Sequence, residues 1–195
     1  EHDDESFLKL KIKIRDKIVA DGLKEFDYDL EKNGEHVNAE QFNSLLEDKN
    51  TITVDMRNHY ESEIGHFKGA DLPDVDTFRE SLPIINDKYK NQKTKKNILM
   101  YCTGGIRCEK ASAYLIKNGY KNVYQLEGGI IEYARQIKKY DIENKFIGKN
   151  FVFDNRRAER ISKQIISFCH QCDEKCDNHV NCNNEACHFL FLQLR

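Results

Sequence analysis

Residues 98–107, Ile-Leu-Met-Tyr-Cys-Thr-Gly-Gly-Ile-Arg, are the stretch of this chain best suited to chemistry. An apolar run ends in Cys102, two glycines follow, and Arg107 opens a segment with helical spacing. Asn97–Tyr101 is short, apolar and bounded by turn residues, which predicts a buried strand. Residues 107–117, stopped by Asn118-Gly119, predict a helix with Ile106, Ala113 and Ile116 on one face. Thr103, Gly104, Gly105 and Ile106 must therefore turn the chain sharply. Gly104 and Gly105 permit positive φ, which lets backbone N–H groups converge on one point. The helix N-terminus adds partial positive charge there, and Arg107 adds a permanent cation with a planar donor fork. All three favour a thiolate at Cys102, so its pKa is expected below that of a free thiol. A cysteine that merely fills a strand end needs neither two glycines nor an arginine.

The segment from Cys102 to Arg107 resembles the active-site loop of rhodanese domains, in which a cysteine carries a persulfide sulfur. Four residues separate Cys102 from Arg107. Phosphatases built on the same fold usually have five, a wider cradle, so the shorter loop favours sulfur over phosphate. Residues 55–70 resemble the Asp-x-Arg…Glu…Gly-His…Gly-Ala block of rhodaneses, and 126–131 resemble the Gly-Gly segment that starts the last helix of the domain. In physical terms, Thr51 to Val54 reads as a β-branched strand. Asp55 and Arg57 follow it and are placed to hold the turn by charge-assisted bonds. For Asp55, Arg57, Glu61 and His66 a structural role is read ahead of the alternative, a direct role in chemistry.

Residues 100–113, 122–136 and 150–156, with the early stretch 7–22, are similar to bacterial tRNA uridine(34) hydroxylases of the rhodanese superfamily. The resemblance implies oxygen-dependent formation of 5-hydroxyuridine at the tRNA wobble position. Molecular oxygen would be the cosubstrate, tRNA the partner and Cys102 the catalytic residue. Set against that family, the chain reads as shortened at both ends, in an N-terminal α+β domain and in a cysteine-rich tail.

The fold expected is α/β, a rhodanese-like parallel sheet flanked by helices. Residues 1–24 would be a remnant of the N-terminal α+β domain, 25–47 a lead-in, 48–142 the rhodanese domain and 143–195 an extension carrying a cysteine cluster. In the first region Leu8, Leu10, Ile12 and Ile14 alternate with Lys9, Lys11, Lys13 and Arg15, the pattern of a strand. Its basic face reads as a solvated sheet face or as a contact for RNA phosphates. Val37 reads as a short strand and Asn38 as the N-cap of a helix from Ala39 to Glu47. Residues 51–55, 69–71, 97–102 and 122–125 are expected as strands; 77–86, 107–117 and 129–139 are expected as helices. That alternation argues for a parallel sheet, whose ligands sit beyond the C-terminal ends of the strands, where Cys102 lies.

Composition adds bounds. The 195 residues carry 31 basic and 33 acidic side chains, a formal charge of −2, so nucleic-acid contact must come from a local patch. No apolar run approaches the ~18 residues of a membrane span, and the acidic start is unlike a secretory signal. A cytoplasmic protein is expected. Five of the seven cysteines fall within residues 169–187. Dense thiols with Cys-x-x-Cys spacing in a cytosolic chain point to metal more than to disulfide, and Cys169, Cys172, Cys182 and Cys187 are a candidate zinc set. Reduced or redox-active cysteines are the alternative. Cys108 reads either as a packing residue or as a resolving thiol for Cys102. Arg156, Arg157, Arg160 and Lys163 read as a basic helix face, solvated or in contact with tRNA.

Two reactions remain open at this level. One is tRNA hydroxylation, which the resemblance implies. The other is sulfurtransfer, in which Cys102 takes sulfane sulfur from a donor as a persulfide and passes it on. A binding module with a vestigial loop is a third reading, against which the intact Cys102, Gly105 and Arg107 stand.

Overall fold

The computed structural model describes residues 12, 14, 17, 19–24, 27–154, 156–184, 186–187 and 189–194. The strand expected over residues 8–15 lies outside them, Ile12 and Ile14 apart. The central sheet is parallel and four-stranded, in the order β1-β5-β4-β2, formed by β1 (Glu35–Val37), β2 (Thr51–Asp55), β4 (Asn97–Tyr101) and β5 (Asn122–Leu126). Among the described residues five α-helices accompany it: α1 (Ala39–Glu47), α2 (His59–Ser62), α3 (Phe78–Lys88), α4 (Ile106–Lys117) and α5 (Gly129–Tyr140). Asn38 caps α1 in a reciprocal box with Gln41, as its place before an amphipathic run predicts.

Strand periodicity decides which way Cys102 faces. Successive side chains of β4 point to opposite sides of the sheet. Ile98 and Met100 pack with Phe78, Leu82, Ala111 and Leu115 from α3 and α4. Leu99 and Tyr101 pack on the other side with Phe42, Ile130 and Tyr133 from α1 and α5. Cys102 continues the even series and joins the α3/α4 side. On α4 the buried side chains toward that core are Cys108, Ala111 and Leu115; of the face expected from spacing, Ile116 packs against it partly buried and Ala113 is buried. Ile106 is half exposed, because it begins the helix at the mouth of the loop.

Several expectations change where distant segments pair. Residues 69–71 are not a strand: Gly69 turns at φ +82°, and only Asp71 bridges to Val54. The strand is β3 (Gly65–Phe67), antiparallel to β6 (Phe146–Phe151). A β-carbon at Gly65 would lie 2.1 Å from the Lys149 carbonyl oxygen, so the strands approach as they do only because Gly65 has none. Phe146 packs against Phe67 at a ring separation of 5.2 Å, which ties residues beyond 142 into the core of the sheet. The basic stretch 156–163 is not a helix. Pairing with β6 makes residues 158–160 strand β7 (Ala158–Arg160), since tertiary pairing overrides local propensity. A hairpin of β8 (His179–Asn181) and β9 (Leu190–Leu192) completes the described elements. Among the described residues, no helix is long and apolar enough to cross a membrane.

Candidate active site

Cys102 follows β4 directly, and the loop wraps its sulfur. The Gly105 amide donates to Sγ at 3.1 Å. The nearby Cys108 thiol and the Arg107 and Cys108 amides, in the first turn of α4, also favour the ionised sulfur. Gly105 opens α4 at φ +92°, a conformation that side chains with a β-carbon rarely take. Cys102 is 1% exposed. Its pKa is nonetheless lowered to about 6. The Cys108 thiol is the largest influence, burial opposes it, and the Arg107 charge and the two amides add to the lowering. Burial, together with the thiolate it faces, pushes Cys108 the other way, well above the ordinary thiol range. At neutral pH Cys102 is therefore mostly thiolate.

Arg107 does not lay its fork on the sulfur. Its Nη1 donates to Glu61 Oε2 at 2.5 Å and its Nη2 to Glu61 Oε1 at 2.8 Å. The same Nη2 lies 3.2 Å from the Thr103 hydroxyl, which itself donates to Glu61 Oε1 at 3.1 Å. The Asn58 amide donates to Glu61 Oε2 at 3.1 Å. Glu61 is completely buried, so a single carboxylate clamps α2, the loop and the start of α4 together. Arg107 acts on the thiolate through its charge. Spacing alone does not pair Glu61 with Arg107 across 46 residues of sequence.

Two further supports hold the loop from beneath. Arg57 donates through Nε and Nη2 to Asp55, at 2.9 and 2.7 Å, and through Nη2 to the Gly65 carbonyl at 2.6 Å. This buried pair fixes the turn after β2 against β3. The α5 N-terminus supplies the other support: the Ile130 amide donates to the Cys102 carbonyl at 3.0 Å and the Ile131 amide to the Thr103 carbonyl at 3.2 Å. Gly129 has φ +65°, and a β-carbon there would lie 2.5 Å from the Cys102 carbonyl oxygen. The Gly-Gly segment thus lets α5 close on the active loop. His66 is turned to its own segment, with Nδ1 at 2.8 Å from the Ser62 carbonyl.

Cys102 forms part of the lining of a cavity of about 540 Å³. Val19, Phe78, Ile106, Arg107 and Phe153 are among its other walls, with Thr103 and Gly104 at the loop. Phe153 comes from the segment after β6 and was not singled out by sequence pattern; nothing local signals that it returns to the loop.

The tail does not assemble the zinc set. Cys169 Sγ accepts from the Leu194 amide at 3.5 Å, and the nearby Cys172 thiol favours its ionised form. Both lie at the open end of the β8–β9 hairpin, where the His170 amide meets the Leu192 carbonyl. Cys182 and Cys187 lie past Asn181, at the tip around Asn184. Three strand residues separate the two places, roughly 10 Å. Among the described residues, no three Cys, His, Asp or Glu side chains form a group that could hold a metal. These residues do not fit a four-ligand zinc site. Three of the four basic side chains are also engaged: Arg160 with Asp177 at 2.5 Å, Arg156 with Asp154, and Arg157 with the His179 carbonyl.

The role of Cys108 can be checked directly. Cys108→Ala removes the main stabiliser of the thiolate and should raise the Cys102 pKa by roughly one unit or more. Cys108→Ser keeps a donor and should leave it near the wild-type value. The pH dependence of iodoacetamide labelling reads the difference; equal profiles for wild type and Cys108→Ala would remove Cys108 from the account.

Comparison with known proteins follows the same outline. The Rhodanese-like domain family matches residues 38–136, and the Rhodanase C-terminal family matches residues 147–194. This chain belongs to the rhodanese family. The rhodanese loop, Cys102 to Arg107, lies inside the first match. Curated relatives include the tRNA uridine(34) hydroxylase of Photorhabdus laumondii, 55% identical over 98% of this chain and 54% of its own length. The protein of the same name from Leptospira interrogans is 58% identical over 99% of this chain and 52% of its own. The chain spans about half the length of the curated relatives it matches. Among solved structures, the Alr3790 protein from Anabaena aligns at a TM-score of 0.44 and 21% identity, over 57% of this chain and 80% of its own.

Proposed function

We propose that this rhodanese protein hydroxylates the wobble uridine of tRNA to 5-hydroxyuridine, with Cys102 as its nucleophile and molecular oxygen as cosubstrate. The observation that carries the reading is the identity of 55–58%, over almost the whole chain, to proteins named tRNA uridine(34) hydroxylase. The site is suited to it. A thiolate at the wall of an apolar-lined cavity can add to C6 of a uracil ring, which leaves electron density at C5 to take one atom of dioxygen; the other atom leaves as water with two electrons and two protons from a thiol reductant, and loss of the C5 proton expels the Cys102 thiolate. The cytoplasm, which holds tRNA and reduced thiols, is the compartment this reading requires. The test is mass spectrometry of tRNA from a strain lacking the protein, complemented with wild type. Wobble 5-hydroxyuridine at normal levels without the protein would rule hydroxylation out.

The compact loop favours a second reading. With four residues between Cys102 and Arg107 and an amide 3.1 Å from the sulfur, the loop suits a persulfide taken from a sulfane donor. Thiosulfate-to-cyanide transfer by purified protein tests it. No transfer from any common donor, despite an alkylatable Cys102, counts against sulfurtransfer.

A further inference from the structure

Phe153 stands at the mouth of the site with most of its ring in the open. It is 61% exposed, although it belongs to a segment whose neighbours Phe151 and Val152 are buried. It shares the cavity with Cys102, Ile106 and Arg107. Phe151 supports the ring at a centroid separation of 5.2 Å and an angle of 75°. The Arg107 guanidinium carbon lies 5.9 Å from the ring centre. The cation that Glu61 fixes thus also steadies the phenyl ring. A supported ring with an open surface, beside a guanidinium and above a nucleophile, has the parts of a stacking site.

We propose that Phe153 is the platform on which a single-stranded pyrimidine base stacks, so that the ring reaches the Cys102 sulfur. The proposal deepens the hydroxylase reading and rests on it. Three observations favour a nucleobase as the occupant. The cavity walls include Val19, Phe78 and Ile106, which suit a flat, weakly polar ring and give a small anion such as thiosulfate little to hold. Proteins that take single-stranded nucleic acid combine aromatic faces with guanidinium groups in this way. A thiolate that is 1% exposed cannot be met by a base inside a helix, so the base must leave its stack and gain a substitute for it. Phe153 supplies that substitute. It provides grip and not base choice, because every base offers a π-face.

The chain contains no tryptophan, so Phe153→Trp introduces a unique fluorophore. The probes are an anticodon stem-loop RNA with uridine at the wobble position and the same RNA made abasic there. Trp fluorescence should be quenched by the uridine loop and respond far less to the abasic one. Phe153→Ala should bind the uridine loop about 5- to 150-fold more weakly than wild type, and Phe153→Tyr should recover most of that loss. Iodoacetamide labelling of Cys102 in each variant shows that the loop is intact. Equal fluorescence responses to the two RNAs, or wild-type binding by Phe153→Ala, would overturn the platform while hydroxylation of tRNA by the wild type still stood. If the wild-type protein binds neither RNA, the hydroxylase reading falls and takes the platform with it.

Discussion

Cys102→Ser is expected to abolish 5-hydroxyuridine formation: tRNA from a deletion strain carrying this variant should contain no more than the deletion background. The loss should be roughly a thousandfold or greater, as for other enzymes stripped of their nucleophile. The substitution is close to isosteric, so the fold should survive it. What changes is the charge. The Gly105, Arg107 and Cys108 donors and the nearby guanidinium are arranged for an anion, and they bring the thiol to about 6. A serine hydroxyl does not ionise there and is left a weak nucleophile. Sulfurtransfer would be lost for the same reason. Substantial 5-hydroxyuridine in the Cys102→Ser strain would mean that the oxygen chemistry runs without this sulfur.

Glu61→Ala should be strongly destabilising. Glu61 is buried and accepts from the Arg107 fork, the Thr103 hydroxyl and the Asn58 amide. Its removal leaves the Arg107 guanidinium mostly buried without its carboxylate. Breaking one side of such a pair costs about 3–5 kcal/mol. In a chain of this size that is a fall in melting temperature of roughly 6–20 °C. Thermal unfolding followed by circular dichroism measures it. A shift under about 2 °C, the effect of an ordinary surface substitution, would show that the clamp carries little of the load.

The parts of this site that sequence discloses are the local ones. The apolar run of β4, the two glycines and the helical spacing after Arg107 all lie within about twenty residues, and each states its own backbone preference. Cys102 could be singled out on those grounds. The partner of Arg107 could not, because Glu61 meets it only after α2 folds back beneath the loop. The antiparallel pairing of β3 with β6 was hidden for a similar reason: each strand is half of a long-range pair, and Gly65 shows its purpose only when Lys149 lies against it. Phe153 owes its place over the loop to the same pairing. The cysteine cluster shows the opposite failure. Short spacing between Cys169 and Cys172 does bring those two together, but the hairpin carries Cys182 and Cys187 to its far end.

The loop holds Cys102 as a thiolate at neutral pH. The most direct test of this is the rate of iodoacetamide labelling of Cys102 as a function of pH, read by mass spectrometry on the tryptic peptide of residues 97–107, which contains no other cysteine. A pKa lowered to about 6 means that the reactive fraction is nearly complete above pH 7 and falls away as the pH drops through about 6. A single inflection near pH 6 is expected. An inflection at about 8.5, the value of a free thiol, would contradict it.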